Sequence, residues 1–317
     1  MRKARLSMRT RFIQWAIPSR RTVRTSPTSG RPRGRLRPIL ALTAAALLAV
    51  TGCGVGGDDA AATTYSDAKS SGRIKVGFAN EAPWAYLDEN GELTGYAPTV
   101  ARAVLKKLGI DEVEGVVTDF GGLIDGLRAQ NYAFVAAGMF INPERCENSD
   151  FAIPDYQVGS AFMVPEGNPR NITRFEDITR ENVRVATLGG AVENGYAEQA
   201  GVPGNLIEPM AKQDDILRAV DNGDVYGAAI LDVTASWLVK NNPGAGLEVT
   251  PSFNFSDRPD VGTFNFRLDD DEFREDFNRE LRALHESGEW LQLVEPYGLT
   301  AANEPDPGMT TESYCTA

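Results

Sequence analysis

An aromatic ring and a guanidinium stand five residues apart at Phe140 and Arg145, in the stretch Ala136-Ala137-Gly138-Met139-Phe140-Ile141-Asn142-Pro143-Glu144-Arg145. Together they can hold a small anion against a flat apolar wall. Arg145 offers a planar fork of donors that matches a carboxylate through two parallel hydrogen bonds. A plainer use is open to both residues: Arg145 as a surface ion-pair partner of Glu144 or Glu147, and Phe140 as ordinary core. Catalytic chemistry has few candidates elsewhere. The chain has one histidine, His285, and lacks HExxH, CxxC and GxSxG, while Gly54-Val55-Gly56-Gly57 does not lie between a strand and a helix. His285 falls on an amphipathic C-terminal helix and is expected to be a solvated helix residue.

The elements that position Phe140 and Arg145 follow from hydrophobic spacing. Phe134 to Ala137 is a small-to-apolar run of strand length, expected in a sheet core, which releases Phe140 to Arg145 at its carboxyl end. That edge is where open α/β sheets bind ligands, because loops converge there while the strands stay packed. Upstream, Ile74, Val76 and Phe78 alternate with Lys75, Gly77 and Ala79 as a half-buried strand, and Asp88-Glu89-Asn90-Gly91 marks a turn. A helix follows, with Pro98 in its first turn, a stripe of Val100, Val104, Leu105 and Leu108, and Gly109 at its end. Val116 and Val117 mark a second strand, and a helix carrying Leu123, Ile124 and Leu127 leads back to the strand before Phe140. This order of strands and helices predicts an α/β lobe with a mainly parallel sheet. Strands over 183–188, 206–210 and 226–231, with helices after 191 and over 214–220, predict a second lobe of the same kind. Extended segments over 154–164 and roughly 249–266 supply two crossings, which suggest a hinge. A helix with Phe273, Phe277, Leu281 and Leu284 on one face closes the body, and a polar extension begins at Pro305.

The first 52 residues hold twelve Lys or Arg and no Asp or Glu, then an apolar run from Ile39 to Val50 that is too short to span a hydrocarbon core. They are expected to be a signal peptide. Val50-Thr51-Gly52-Cys53 resembles a bacterial lipobox, which implies that Cys53 is lipidated and that the protein is held at the outer face of the cytoplasmic membrane. The rest of the chain carries 20 basic against 44 acidic residues, a formal net of −24, so affinity for nucleic acid or anionic lipid head groups is not expected. Residues 53–72 are expected to form a lipidated, flexible tether, given a composition of Gly, Ala, Thr and Asp without apolar periodicity over Gly54 to Ser66.

Residues 73–300 resemble the solute-binding proteins of bacterial ABC importers, in the branch that takes up amino acids and similar zwitterions. The resemblance is carried by Val76-Gly77-Phe78-Ala79-Asn80-Glu81-Ala82-Pro83-Trp84-Ala85-Tyr86, Gly95-Tyr96, Phe120-Gly121-Gly122-Leu123-Ile124, Gly138 to Arg145, and Gly189-Gly190-Ala191-Val192-Glu193. Within that branch, Ala79-Asn80-Glu81-Ala82-Pro83, Glu112-Val113-Glu114-Gly115-Val116, Gly190-Ala191-Val192-Glu193 and Val294-Glu295-Pro296-Tyr297-Gly298 look most like ectoine and hydroxyectoine binders. The resemblance implies a two-lobed, type II periplasmic-binding-protein clamshell with two hinge crossings, which closes on its solute and docks on an ABC permease. Its first lobe is expected over 73–160, the second over 161–250, and the hinge return with the rest of the first lobe over 251–300, followed by a polar tail over 301–317. A monomer that needs neither cofactor nor metal is expected.

The resemblance also implies the site. Glu81, Trp84, Phe120, Phe140 and Arg145 would come from the first lobe, and Gly190, Glu193, Asn194 and Asp232 from the second. Ectoine is a compact ring with a carboxylate and a delocalised cationic amidine. Arg145 can clamp the carboxylate and Glu81 can accept from the amidine N–H groups. Trp84, Phe120 and Phe140 can enclose the cation, each face contributing roughly 0.5–2 kcal/mol. First-turn N–H groups after Ala191 can take a carboxylate or hydroxyl. Asp232 has two uses: pairing with a ligand ammonium, as in amino-acid binders, or N-capping the helix that follows. Ala133 departs from the family, which usually has Asp before this strand. With Cys53 assigned to lipid, Cys146 and Cys315 remain as an even pair in an oxidising compartment, and a disulfide between them would pin the tail beside Arg145. An enzyme on the same fold, such as a dehydratase or a lytic enzyme, would need Glu81 as a general acid with no cation nearby, and Arg145 argues against it. A receptor's sensor domain is disfavoured because no second membrane segment follows.

Overall fold

The computed structural model describes residues 61–316, which belong to one compact unit, Gly57–Ala317. The expected signal peptide, the lipid site at Cys53 and the first part of the tether lie outside the described residues. Two mixed sheets organise what is described. In the first, Glu112–Val117, Arg73–Phe78 and Phe134–Phe140 run parallel, and Asp260–Phe266 joins antiparallel to Phe134–Phe140, pairing in turn with Asp150–Phe151 and Tyr156–Val158. In the second, Ile207–Met210, Val185–Leu188 and Gly227–Leu231 run parallel, and Ser160–Pro165 lies antiparallel between Gly227–Leu231 and Leu247–Val249. The first sheet is mainly parallel, as expected: of its six strands Asp260–Phe266, supplied by the returning chain, is the one that runs against the others.

Phe134–Phe140 is buried at every residue because both of its faces are covered. Phe134, Ala136 and Phe140 enter one apolar cluster, while Val135, Ala137 and Met139 enter another that continues into the second sheet through Ala161, Met163, Ala186 and Ala228. Behind the first face, the rings of Phe134, Phe264, Phe266, Phe273 and Phe277 pack with centroids 4.8–6.3 Å apart. Helix Asp271–Ser287 contributes two of them at i and i+4, the spacing that places both on one face.

Two chain passages join the sheets, one at Gly159 between Tyr156–Val158 and Ser160–Pro165, the other between Leu247–Val249 and Asp260–Phe266. They run side by side, with Ser160 and Phe253 exchanging two backbone hydrogen bonds of 2.9 Å.

Two local expectations, the tether and the solvated His285, are corrected. The segment from Ala62 onward is not tether: Ala62 bridges Ile74, and Tyr65–Ser71 is a helix capped by Thr64, whose Tyr65 ring stacks on Phe273 at 4.4 Å. A single buried aromatic fixes a stretch that composition alone reads as linker. The C-terminal extension folds back as the expected Cys146–Cys315 disulfide requires, with Thr311–Cys315 helical and Tyr314 buried. His285 is not solvated: its Nε2 lies 2.9 Å from the fully buried Asp155, its Nδ1 faces Glu304 at 3.3 Å, and its ring stacks on Trp290. Burial would push its pKa down, but the bond to Asp155 and the charges of Asp155 and Glu304 outweigh that and raise it.

Candidate ligand-binding site

Where the two sheets face each other, strand-to-helix turns from both converge on a cavity of about 50 Å³. From the first sheet, the loop after Arg73–Phe78 is pinned by Glu81 and Ala85 exchanging backbone hydrogen bonds of 2.7 and 3.0 Å, which brings Glu81 and Trp84 inward. Trp84 lies flat over the central strand because position 138 is glycine. A Cβ there would meet the indole at 2.6 Å, and Gly138 has φ +64°, a region that side chains rarely adopt. Tyr156, 4.6 Å from the indole, donates its hydroxyl to the Gly138 carbonyl and fixes the wall from behind.

Arg145 sits on the single turn Pro143–Cys146, whose cap Asn142 accepts from the Arg145 backbone N–H at 2.9 Å. Arg145 is 9% exposed, with its guanidinium close against the Phe120 ring at 5.4 Å. Its Nη1 donates to the Phe140 carbonyl at 2.8 Å and its Nη2 to the Gly190 carbonyl at 2.9 Å, across to the second sheet's turn. A guanidinium has five N–H donors, so these two bonds orient it and leave donors for a ligand.

Two carboxyls complete the polar set. Glu193, in the first turn of Val192–Gln199, is 2% exposed and accepts from Ser160 Oγ at 3.5 Å. Burial lifts its pKa to about 7, helped by the charge of Asp260 and opposed by its own backbone N–H and by Arg145. Glu81 is 7% exposed, and burial followed by the charge of Glu193 holds its pKa well above the usual carboxylate range. Its Oε1 is buried and has no hydrogen-bond partner. Apolar side chains form most of the remaining lining: Leu188, Val192, Ile216, Ile230 and Leu231 from the second sheet's side, beside Trp84, Phe120 and Phe140.

The cavity thus gathers Glu81, Trp84, Phe120, Phe140, Arg145 and Glu193. The other three expected site residues stand apart from its lining. Gly190 contributes its carbonyl to Arg145 and, at φ +82°, lets the rim close: a Cβ there would meet Gly121 Cα at 2.7 Å. Asn194 is spent locally, accepting from Thr187 Oγ1 at 2.7 Å and donating to the carbonyls of Leu188 and Ala191. Asp232 stands outside the cavity lining and is not at the N-cap position, but its Oδ1 accepts from the Val233 backbone N–H at 2.7 Å and so serves the first turn of the helix that follows. It is the first residue of Asp232–Asn241, where Leu231 is the cap, and its carboxylate accepts from Ser252 Oγ at 2.5 Å and Gly159 N–H at 3.4 Å, bracketing both chain passages between the sheets.

Two polar lining residues were not foreseen. Thr234 Oγ1 accepts from Trp84 Nε1 at 2.8 Å, and Gln213 Nε2 donates to the Ala82 carbonyl at 2.8 Å, so both join the two sides of the cavity. Their signal is positional: each lies in the first turn of a helix that follows a strand of the second sheet, the same kind of place as the helix start after Ala191. Among the described residues no cluster of His, Cys, Asp and Glu could hold a metal ion, and no helix is long and apolar enough to cross a membrane.

Comparison with known proteins places this geometry. The profile of the bacterial extracellular solute-binding proteins, family 3, matches residues 74–300. A probable amino-acid ABC transporter periplasmic-binding protein, y4tE of Sinorhizobium fredii, is 35% identical over 302 residues, 92% of this chain and 97% of that one. Among solved structures, EhuB in complex with hydroxyectoine superposes with a TM-score of 0.72 at 29% identity, covering 80% of this chain and 97% of that one. An ancestral arginine-binding protein bound to glutamine gives a TM-score of 0.65 at 27% identity over 71% of this chain and 97% of that one. The architecture is the type II periplasmic-binding-protein fold, a two-lobed clamshell with one sheet in each lobe.

Proposed function

The chain belongs to the bacterial extracellular solute-binding proteins, family 3, and from that premise we propose that it captures ectoine or hydroxyectoine by lobe closure and delivers the solute to an ABC permease. The coarser role, an extracytoplasmic solute-binding protein of an amino-acid ABC transporter, follows from the family and its relatives. The observation that carries the finer reading is Glu81, whose buried, unpartnered Oε1 stands in an apolar and aromatic cage beside Arg145. A ring that bears a delocalised cation and a carboxylate satisfies both charges and fills the cage. An α-amino acid is served less well, because Asp232, the carboxylate expected for its ammonium, is engaged by Ser252 and Gly159. Polar amino acids remain the second reading, favoured by the amino-acid transport relatives. In this reading the protein is a monomer, held to the membrane through a lipid on Cys53.

Closure follows from the contacts. Trp84 with Thr234, Gln213 with Ala82 and Arg145 with Gly190 bond across the cleft, so in this reading the lobes part to load the solute and these contacts re-form once it is in. A carboxyl with a raised pKa is also what a general acid needs. A binder returns its solute unchanged.

Isothermal titration with ectoine, hydroxyectoine and a panel of amino acids tests the assignment. Micromolar or tighter binding of ectoine is expected, with amino acids silent and no product formed. Arg145→Ala is expected to weaken binding at least a hundredfold while leaving the far-ultraviolet circular dichroism unchanged, since a charged hydrogen-bonding pair at a buried site is lost. Near-normal affinity in that variant, or heat from an amino acid alone, refutes the assignment.

A further inference from the structure

The C-terminal segment ties together two pieces of the first lobe that both reach across the cleft. Cys315 is bonded to Cys146, its Cα 5.6 Å away, and Cys146 directly follows Arg145 on the one-turn helix Pro143–Cys146. Next to Cys315, the buried Tyr314 donates its hydroxyl to the Pro259 carbonyl at 2.9 Å. Arg258 lies over the Tyr314 ring at 3.9 Å and donates to the Ser313 carbonyl at 3.0 Å. Farther back, Thr311 Oγ1 donates to the Ala152 carbonyl at 2.7 Å, which moors the segment to the body of the lobe. One short helix thus holds the Arg145 turn on one side and residues 258–259 on the other.

Both of these pieces grip the second lobe. Arg145 donates to the Gly190 carbonyl, and Asp260, next to Pro259, accepts from the Tyr196 hydroxyl at 2.6 Å. Gly190 lies in the turn that leads into the helix Val192–Gln199, and Tyr196 lies on that helix. The single turn that carries Arg145 has little of its own to hold it, because one turn of helix is not stable in isolation. We propose that the segment 305–316, locked by the Cys146–Cys315 disulfide, is a positioning element of the ligand site: it sets Arg145 and the second chain passage for closure, and opening the disulfide loosens both and lowers solute affinity. The affinity part rests on the solute-binding role; the loosening does not. Opening it with a dithiol places two electrons and two protons on the Cys146 and Cys315 sulfurs, giving two thiols, while the reagent closes to its own disulfide.

Hydrogen exchange with mass spectrometry on the full chain in mild detergent, oxidised and then reduced with dithiothreitol and alkylated, tests the proposal. Exchange at 143–149 and 258–262 is expected to quicken about tenfold on reduction, with the helix Tyr96–Lys107 unchanged. Tyr314→Phe, which keeps the disulfide, is expected to loosen 258–262 alone. Titration with ectoine is expected to show an affinity about tenfold weaker after reduction. Unchanged exchange in both segments overturns the proposal, as does loosening that spreads to Tyr96–Lys107, because the bond would then hold the whole fold. Loosened segments with unchanged affinity overturn the positioning role. If the oxidised chain gives no heat with ectoine, the solute assignment fails while the exchange data still decide the loosening.

Discussion

Glu193 and Glu81 are the residues on which the chemistry of the cleft turns, because each is buried among apolar side chains with less hydrogen bonding than a carboxylate wants. A carboxyl whose folded pKa is raised holds its proton more tightly than the unfolded chain does. Its contribution to stability is therefore complete below the unfolded value and is lost as pH rises through the folded one. For Glu193, raised to about 7, the loss falls between about pH 4.5 and 7 and amounts to something on the order of 3 kcal/mol. Glu193→Gln, which cannot ionise, is expected to remove that part of the slope; denaturant unfolding without solute at pH 5 and pH 8 measures it. A variant that keeps the parent's full loss of stability over this interval would show that Glu193 does not carry the buried charge. A cationic solute reverses the preference, because it favours ionised carboxylates in the same cavity.

Closure of the lips depends on two facing turns, Gly121 after Phe120 and Gly190 before the helix Val192–Gln199. Gly190→Ala is expected to weaken solute binding about tenfold, because the added carbon meets Gly121 Cα when the lobes are shut, and to cost about 1–2 kcal/mol of fold stability, because position 190 has φ +82°. Titration beside thermal unfolding checks this, and an affinity equal to the parent's would remove Gly190 from the closing surface. These elements were also the legible part of the sequence. Strand-length apolar runs and glycine-marked turns placed both sheets, and the family resemblance, with which the position of Phe140 and Arg145 at a strand end agrees, implied Glu81, Trp84, Phe120, Phe140 and Arg145 as one wall of the cavity. Contacts between distant segments were not legible. Nothing near Asp232 in the chain says that its partners are Ser252 and Gly159, and nothing near Tyr65 says that Phe273 awaits it. Thr234 and Gln213 escaped for a related reason: a single polar residue in a first helical turn is common, and only the opposite lobe gives it a role.

At the scale of the molecule, one apolar cluster runs from the face of Phe134–Phe140 into the second sheet, so the lobes share a core at the base of the cleft. Unfolding is expected as one calorimetric transition. Solute at a hundred times its Kd should stabilise the protein by about 2.7 kcal/mol and raise Tm by roughly 5–10 °C. Two transitions, of which solute moves one, would place the site within a single lobe and contradict a cleft between them. The interleaving of the chain has a further consequence during synthesis. Phe134–Phe140 needs Asp260–Phe266 to complete the centre of its sheet, and that strand emerges from the ribosome roughly 120 residues later. At about 5–20 residues per second, the first lobe waits with an open sheet edge for roughly 6–24 s while the second can finish. The later lobe in the chain is thus the earlier one to fold, and the lobe that carries Arg145 is the one a nascent chain must keep from aggregating.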